Sequence, residues 1–198
     1  MDKDAHLGYL HEFDLNSGAL IREVQMQDGS RYHAGGIAGT NDALWIPIAE
    51  YRPNSASIIQ RRNKRTLAVE KQFSVDDHIG CVAVQGDTVI GGNWDSRDLY
   101  FWNTEGKLLR KETNPAKNGF QDMKVVGAML VGSGLLADHS GAIDWLELPT
   151  LKPVRRITTG KTSRGKWYTE EGMTIRDGEL FLLPEDGPSR LFVFRLEK

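Results

Sequence analysis

The stretch HAGGIAGTNDALWIPIAEYRPNSAS, residues 33–57, decides the fold that we predict for this chain. It opens with His33 and a group of glycines, passes through a polar turn at residues 40–42, and reaches an apolar run at residues 44–49 that ends in Glu50. The same order of polar start, turn and apolar strand recurs three more times downstream. A unit that recurs at a nearly fixed distance indicates a repeat architecture.

Four polar anchors mark the starts of the repeats. They are His33, His78, Asp122 and Glu171, which are 45, 44 and 49 residues apart. Short apolar runs separated by Gly, Asn, Asp and Pro follow each anchor, and this pattern favours antiparallel strands over helices. Units of four strands that recur about every 45 residues are typical of β-propeller blades. A β-sandwich is the alternative, although it does not require similar anchors at a fixed period.

We therefore predict a single all-β domain, a β-propeller of about four and a half four-stranded blades, over residues 1–198. The predicted units are a half-blade at residues 6–27 and blades near residues 31–75, 76–119, 120–165 and 166–198. A ring of such blades usually has about six, so we expect an incomplete six-bladed plan. Strands at the two ends would then have open edges, and self-association through these edges is expected because exposed edges pair with other chains.

The composition gives no support to several classes of partner. It has 25 Lys and Arg and 27 Asp and Glu, a formal net charge of −2, so charge gives no reason to expect a nucleic-acid partner. No apolar run approaches the roughly 18 residues of a membrane helix, so no membrane partner is expected. The polar N-terminal sequence has no signal peptide, which predicts a cytoplasmic location for the chain as given, while leaving its location in the cell open. With Cys81 as its single cysteine, the chain is expected to lack an internal disulfide.

Several short motifs carry a resemblance to a known family. They are HAGGI, IPIAEYRPNS, VDDHIG, GGNW, QDM, EEGM and LPEDGPS, in this order along nearly the whole chain. Together they resemble an uncharacterised, mainly bacterial family of six-bladed β-propellers, a domain of unknown function. The resemblance implies the six-bladed fold and no established activity. Members of that family are longer at the N-terminus, so this chain is expected to be N-terminally truncated.

The anchors should converge in space, because the innermost strand of each blade lines the central channel of a propeller. His33 and His78 are the candidate general bases. Carboxylate and amide oxygens suit Ca²⁺, and an added imidazole suits Zn²⁺, so a divalent ion is the expected cofactor. The predicted metal ligands are His78, Asn93, Asp122 and Glu171. The predicted ligand-binding residues are Glu50, Arg52, Trp94, Asp95, Glu185 and Asp186.

Each of these residues also has a structural interpretation. Asp and His at blade corners commonly bond turn amides and hold blades together. Arg52 is two residues from Glu50, and a pair between them is favoured over the binding of an anion. Packing between blades is the alternative role of Trp94.

Two functions fit a propeller with such a channel. The first is the binding of a small polar molecule or a divalent ion without turnover. The second is metal-dependent hydrolysis of the lactonase or esterase type, with His33 or His78 as the base and a channel metal that polarises a carbonyl group. Binding ranks above hydrolysis, and whether the chain is an enzyme stays open, because a fold by itself does not determine the function.

Overall fold

The computed structural model describes residue 2 and residues 4–196, and its regular structure is almost entirely β. In this part of the chain the longest helical element is a 3₁₀ turn at Trp94–Ser96. No helix among these residues has the length and apolar character needed to span a bilayer. The all-β prediction is confirmed.

The strands form a two-stranded ribbon followed by four sheets, each an antiparallel meander in chain order. The ribbon contains β1 (Gly8–Phe13) and β2 (Leu20–Met26). Blade 1 contains β3 (His33–Ala34), β4 (Ala38–Gly39), β5 (Ala43–Ala49), β6 (Ser57–Asn63) and β7 (Val69–Val75). Strands β3 and β4 both pair with β5 and are two pieces of one inner strand.

The other three sheets repeat this plan. Blade 2 contains β8 (Ile79–Gln85), β9 (Thr88–Asn93), β10 (Asp98–Asn103) and β11 (Leu108–Thr113). Blade 3 contains β12 (Gly119–Val126), β13 (Met129–Leu135), β14 (Gly141–Glu147) and β15 (Lys152–Thr158). Blade 4 contains β16 (Gly172–Arg176), β17 (Glu179–Leu183) and β18 (Phe192–Arg195). The chain therefore has a β-propeller arrangement with about four blades, as its repeats predicted.

The two-residue period of a strand distributes its side chains between two neighbouring blades. On β8, Cys81 and Ala83 lie in the apolar cluster shared with blade 3, whereas Val82 lies in the cluster shared with blade 1. On β9, Val89 and Ile90 alternate in the same way. Such strands are buried on both faces, which explains why their sequences are nearly continuous apolar runs.

Four apolar clusters join the sheets in chain order. Leu10 and Met26 of the ribbon pack on Ile48 of blade 1, and separate clusters join blades 1 and 2 and blades 2 and 3. The last cluster places Met173 and Leu182 of blade 4 against blade 3. Within the described residues β1 pairs only with β2, and β18 pairs only with β17.

The inner strands meet at Gly36. The backbone of this residue joins blade 1 to blade 2, because Gly36 N donates to Gly80 O at 2.9 Å and Val82 N donates to Gly36 O at 3.1 Å. A Cβ atom on Gly36 would lie 2.6 Å from Asp122 Oδ1 of blade 3 and 2.8 Å from the Cβ of Cys81. Three consecutive blades thus approach one another where there is no room for a side chain.

Gly36→Ala is expected to destabilise the fold by about 1–3 kcal/mol, because the added methyl group overpacks a junction of three backbones. The measurement is chemical denaturation followed by circular dichroism. Gly39→Ala is the control, because the nearest atom to a Cβ there is Leu44 Cδ2 at 3.8 Å. Equal stabilities of the two variants would contradict this account of the junction.

The outer edge of β18 differs in composition from the outer edges of the other blades. Strands β7, β11 and β15 each contain two or more charged side chains, and charges protect an edge from pairing with another strand. Strand β18 has the sequence Phe-Val-Phe before its single Arg195. Its Val193 is 49% exposed.

Self-association through this edge stays a prediction, which light scattering after size exclusion tests directly. The wild-type chain is expected to exceed the 22.2 kDa monomer mass as its concentration rises. Val193→Lys should restore the monomer, because a lysine on an edge strand opposes strand addition. Val154→Lys on β15 is the matched control, because Val154 is 48% exposed on an edge that is already charged. A wild-type chain that is monomeric at all concentrations would refute the prediction.

Candidate functional site

A cavity of about 1020 Å³ lies between the inner strands of the four blades. All four anchors border it, because each anchor begins or immediately precedes an inner strand or lies within it. Eight of the site residues predicted from the sequence line its wall: His33, His78, Asn93, Trp94, Asp95, Asp122, Glu171 and Asp186.

Four ring side chains form a cluster on one wall of this cavity. His33 begins β3, Tyr51 follows β5, His78 precedes β8 and Trp94 follows β9, so two rings come from blade 1 and two from blade 2. The ring centroids of His33 and Tyr51 are 4.9 Å apart, and those of His78 and Trp94 are 4.6 Å apart. The ring centroids of His33 and His78 are 5.3 Å apart, and those of Tyr51 and Trp94 are 6.1 Å apart.

The imidazole of His78 is held in one orientation. It is 2% exposed, and its Nδ1 lies 2.8 Å from the carbonyl oxygen of Glu50. A carbonyl oxygen only accepts, so Nδ1 carries the proton in this bond. Burial lowers the pKa of His78 below its usual 6.5, whereas the carbonyls of Glu50 and Arg52 and the carboxylates of Asp77 and Asp95 act against this shift. The ring is therefore neutral near pH 7.

The 3₁₀ turn after β9 presents Trp94 and Asp95 to the cavity. Asp95 and Ser96 have φ values of 58° and 46°, in the left-handed region that residues other than Gly seldom adopt. The turn is fixed to blade 3, because the buried Ser96 Oγ donates to Phe120 O at 3.1 Å. Gly92 leaves room for this contact, since a Cβ there would lie 2.5 Å from Ser96 Oγ.

Two buried candidate metal ligands, Asp122 and Asn93, bind other parts of the chain. Asp122 Oδ1 accepts from Met123 N, Asp122 Oδ2 accepts from Met173 N of blade 4 at 2.9 Å, and Lys124 Nζ lies 2.5 Å from Oδ1. Burial raises the pKa of Asp122, and Lys124 opposes this effect. Asn93 Nδ2 donates to Asp77 Oδ2, and Asn93 Oδ1 accepts from Asp98 N. These contacts support the structural interpretation of both residues.

Within the described ranges, no group of three or more His, Cys, Asp or Glu side chains is close enough to hold a metal ion. His78 and Glu171 line the same cavity as Asn93 and Asp122, but the four predicted ligands do not form such a group. A divalent cofactor therefore stays a prediction.

Three of the predicted ligand-binding residues lie outside the cavity wall. Glu50 accepts from Ser30 Oγ at 2.7 Å and pairs with Arg52 at 2.6 Å, and these contacts lower the pKa of Glu50. The carboxylate of Glu185 is buried and pairs with Arg190 and with Arg164. Its hydrogen bonds with Arg190 are the largest cause that lowers the pKa of Glu185 to about 2. Ion pairs within the chain thus engage three side chains that were predicted from the sequence to bind a ligand.

With the geometry established, comparison with known proteins gives the family. A model of a family of unknown function, DUF6454, matches residues 3–145. The chain belongs to the DUF6454 family. A search of curated proteins gives no match. The prediction that the chain belongs to a propeller family of unknown function is thus confirmed. The six-bladed plan and the bacterial occurrence of the family stay predictions.

Solved structures resemble the DUF6454 chain in fold. Glutaminyl cyclase from Myxococcus xanthus aligns with a TM-score of 0.68 and 13% identity over 94% of this chain and 83% of that chain. A chain of the nidogen/laminin complex aligns with a TM-score of 0.60 and 10% identity over 96% of this chain and 71% of that chain. BamB from Moraxella catarrhalis aligns with a TM-score of 0.52 and 17% identity over 96% of this chain and 53% of that chain. Identities this low show a shared fold alone.

Two side chains of the cavity wall were not predicted from the sequence. Tyr51 follows the second strand of blade 1, much as Trp94 follows the second strand of blade 2, and this equivalence could have identified it. Lys124 lies two residues after Asp122 on β12, so both side chains lie on one face of the strand. Both residues line the cavity.

The state of His78 in this DUF6454 chain has a consequence for stability. Its pKa is lower in the folded chain than the 6.5 of an unperturbed His, so the unfolded chain binds more protons as the pH falls below 6.5. The free energy of unfolding should therefore decrease between about pH 7 and about pH 5. His78→Asn should flatten this decrease, because its amide N–H preserves a donor toward Glu50 O while removing the titrating ring.

Urea denaturation at a series of pH values, with NMR titration of the imidazole, tests this expectation. The control is His139→Asn, because His139 lies in an exposed hairpin turn with a φ of 63°, which Asn tolerates. That variant should keep the wild-type pH dependence. An imidazole of His78 that titrates above 6.5 would contradict the assignment.

Proposed function

We propose that this chain binds a small polar ligand in the central cavity, against the rings of His33, Tyr51, His78 and Trp94. The observation that carries the proposal is the convergence of these four rings, from two blades, on one wall of the cavity. Small-molecule sites are commonly cavities of roughly 300–1,000 Å³ with aromatic linings and a few polar groups. The cavity here, at about 1020 Å³, is just above that range.

The polar groups of the wall support a polar ligand. Asp95 and Asp186 line the cavity and are exposed, and neither makes an ion pair among the described residues. His78 adds a neutral imidazole in a fixed orientation. Aromatic faces together with a few hydrogen-bonding groups favour a small organic molecule over a bare ion, which would need several oxygen ligands at once.

A second candidate function is hydrolysis with His78 as the general base. A neutral imidazole whose Nδ1 carries the proton keeps its basic lone pair on Nε2. Nε2 of His78 lies 3.8 Å from the position of a Cβ on Gly80, a residue that lines the cavity. The metal-dependent form of this reaction needs a bound metal ion. Among the described residues no group of three or more His, Cys, Asp or Glu side chains could hold one, so binding ranks first.

Thermal shifts with a defined panel of compounds test the binding proposal. The panel contains CaCl₂, MnCl₂, ZnCl₂, glucose, glutamate and choline chloride, and a ligand that binds the folded chain raises its melting temperature. Tyr51 is 41% exposed, so Tyr51→Ala removes a ring of the cluster without opening the core. We expect at least one compound to stabilise the wild-type chain and its affinity to fall by roughly 3-fold to 10-fold in Tyr51→Ala.

The control variant is Phe13→Ala, which removes a ring that is 55% exposed on the ribbon and lies outside the cavity wall. It should leave the affinity unchanged. Absence of any shift across the panel, or equal affinities of Tyr51→Ala, Phe13→Ala and wild type, would refute the proposal. If ZnCl₂ or MnCl₂ alone stabilises the chain and this response is lost in His78→Asn, the metal-dependent candidate replaces it.

A further inference from the structure

We propose that the ligand carries a positive charge of the organic ammonium class, which stacks on Trp94 with Asp95 as its counter-charge. This inference rests on the proposed function, because it specifies the ligand class for the same cavity. Trp94 and Asp95 are adjacent in the 3₁₀ turn, and both line the cavity. The turn therefore brings an indole ring and a carboxylate from consecutive residues to the same cavity.

The charge balance of the wall supports a cation. Among the described residues the lining contains the carboxylates of Asp95, Asp122, Glu171 and Asp186 and, apart from the imidazoles of His33 and His78, one basic side chain, Lys124. Asp122 and Lys124 form an ion pair with a distance of 2.5 Å and cancel each other. The exposed Lys166 forms an ion pair with Glu170 and also interacts electrostatically with Glu171 and Asp186. Its positive charge therefore offsets part of the negative charge of Glu171 and Asp186.

Asp95 is the carboxylate that the chain itself does not balance. It forms no ion pair and accepts no side-chain or backbone hydrogen bond among the described residues. Within the ring cluster, the charge of Asp95 acts on the imidazole of His78, which burial keeps neutral. A carboxylate beside a low-dielectric wall attracts a cation more strongly than one surrounded by water.

Cation–π contacts within the chain occur at several of its rings. Five rings outside the cluster each have an Arg or Lys of the chain over one face, at 3.9–5.1 Å from the centroid: Tyr100, Phe101, Trp145, Trp167 and Phe192. Trp94 contacts the rings of Tyr51 and His78 and has no such cation in the described part of the chain. The negative face of an indole attracts ammonium groups more strongly than any other ring, and it lies here beside a carboxylate without a partner.

The backbone of the turn keeps these two groups in place. Two successive residues, Asp95 and Ser96, adopt left-handed φ values, and such conformations persist only where surrounding contacts impose them. Here the hydrogen bond from Ser96 Oγ to Phe120 O imposes the turn from the neighbouring blade. The backbone that carries these groups is thus arranged before the ligand arrives, which reduces the entropic cost of binding.

Isothermal titration with charged and neutral probes tests the inference. The ammonium probes are tetramethylammonium, choline and ethanolamine, and the neutral probe is 3,3-dimethyl-1-butanol, which has the shape of choline without its charge. At least one ammonium probe should bind, and choline should bind roughly tenfold more tightly than its neutral isostere. Added NaCl should weaken the binding of choline, because salt screens the charge of Asp95.

Two variants isolate the proposed contacts. Asp95→Asn keeps the shape of the side chain and tolerates the left-handed φ, and it should weaken choline binding by roughly tenfold while leaving the isostere unaffected. Trp94→Leu keeps an apolar side chain without the ring face and should weaken choline binding by a similar factor. Asp87→Asn is the matched control, because Asp87 is exposed in a turn of the same blade and lies outside the cavity wall.

The outcomes separate this inference from the proposed function. If the isostere or glutamate binds as tightly as the ammonium probes and this binding depends on Tyr51, the cavity binds a ligand and the inference of a cation is wrong. If no ammonium probe binds, or if choline binds equally well to Asp95→Asn, the inference is also wrong. Failure of every probe and of the whole thermal-shift panel would refute the proposed function itself.

Discussion

The backbone of Gly36 lies where three consecutive blades meet, and the close packing of the inner strands depends on its lack of a side chain. Its N–H and C=O groups bond to blade 2, and its α-carbon faces the carboxylate of Asp122 in blade 3. The neighbouring Gly35 is equally constrained, because a Cβ there would lie 2.0 Å from Gly80 O. These contacts fix how closely the blades approach the axis and therefore how large the cavity beside them is.

The close approach of the inner strands also buries polar groups. These groups need hydrogen-bond partners, because an unsatisfied buried donor or acceptor costs free energy. Ser57 Oγ donates to Asp77 O and accepts from Ile79 N, which links blade 1 to blade 2. Asp122 and Thr169 make corresponding links between blades 3 and 4. Side chains that would suit a metal site thus serve first as connections between blades.

Other polar groups line the cavity. The ring cluster comes from strand ends and the connections beside them, whereas other parts of the wall, such as Asp122 and Lys124, lie within strands. The left-handed turn at Asp95 and Ser96 departs from regular backbone in this wall, and Trp94 and Asp95, the two groups proposed to contact the ligand, lie in it. Irregular backbone of this kind is commonly retained at binding sites.

The sequence by itself determined the strand pattern, the repeat length and the convergence of the anchors on one cavity. Local chemistry suffices for these features, because alternating apolar residues and regularly spaced turns specify strands and because equivalent positions in successive blades face the same axis. Only the tertiary structure decided which polar side chains bind other parts of the chain. Asp122 bonds to the amide of Met173, 51 residues away, and Glu185 pairs with Arg164, 21 residues away. Such partners come together only when the chain folds, so one Asp side chain, Asp122, links two blades, whereas another, Asp95, lines the cavity.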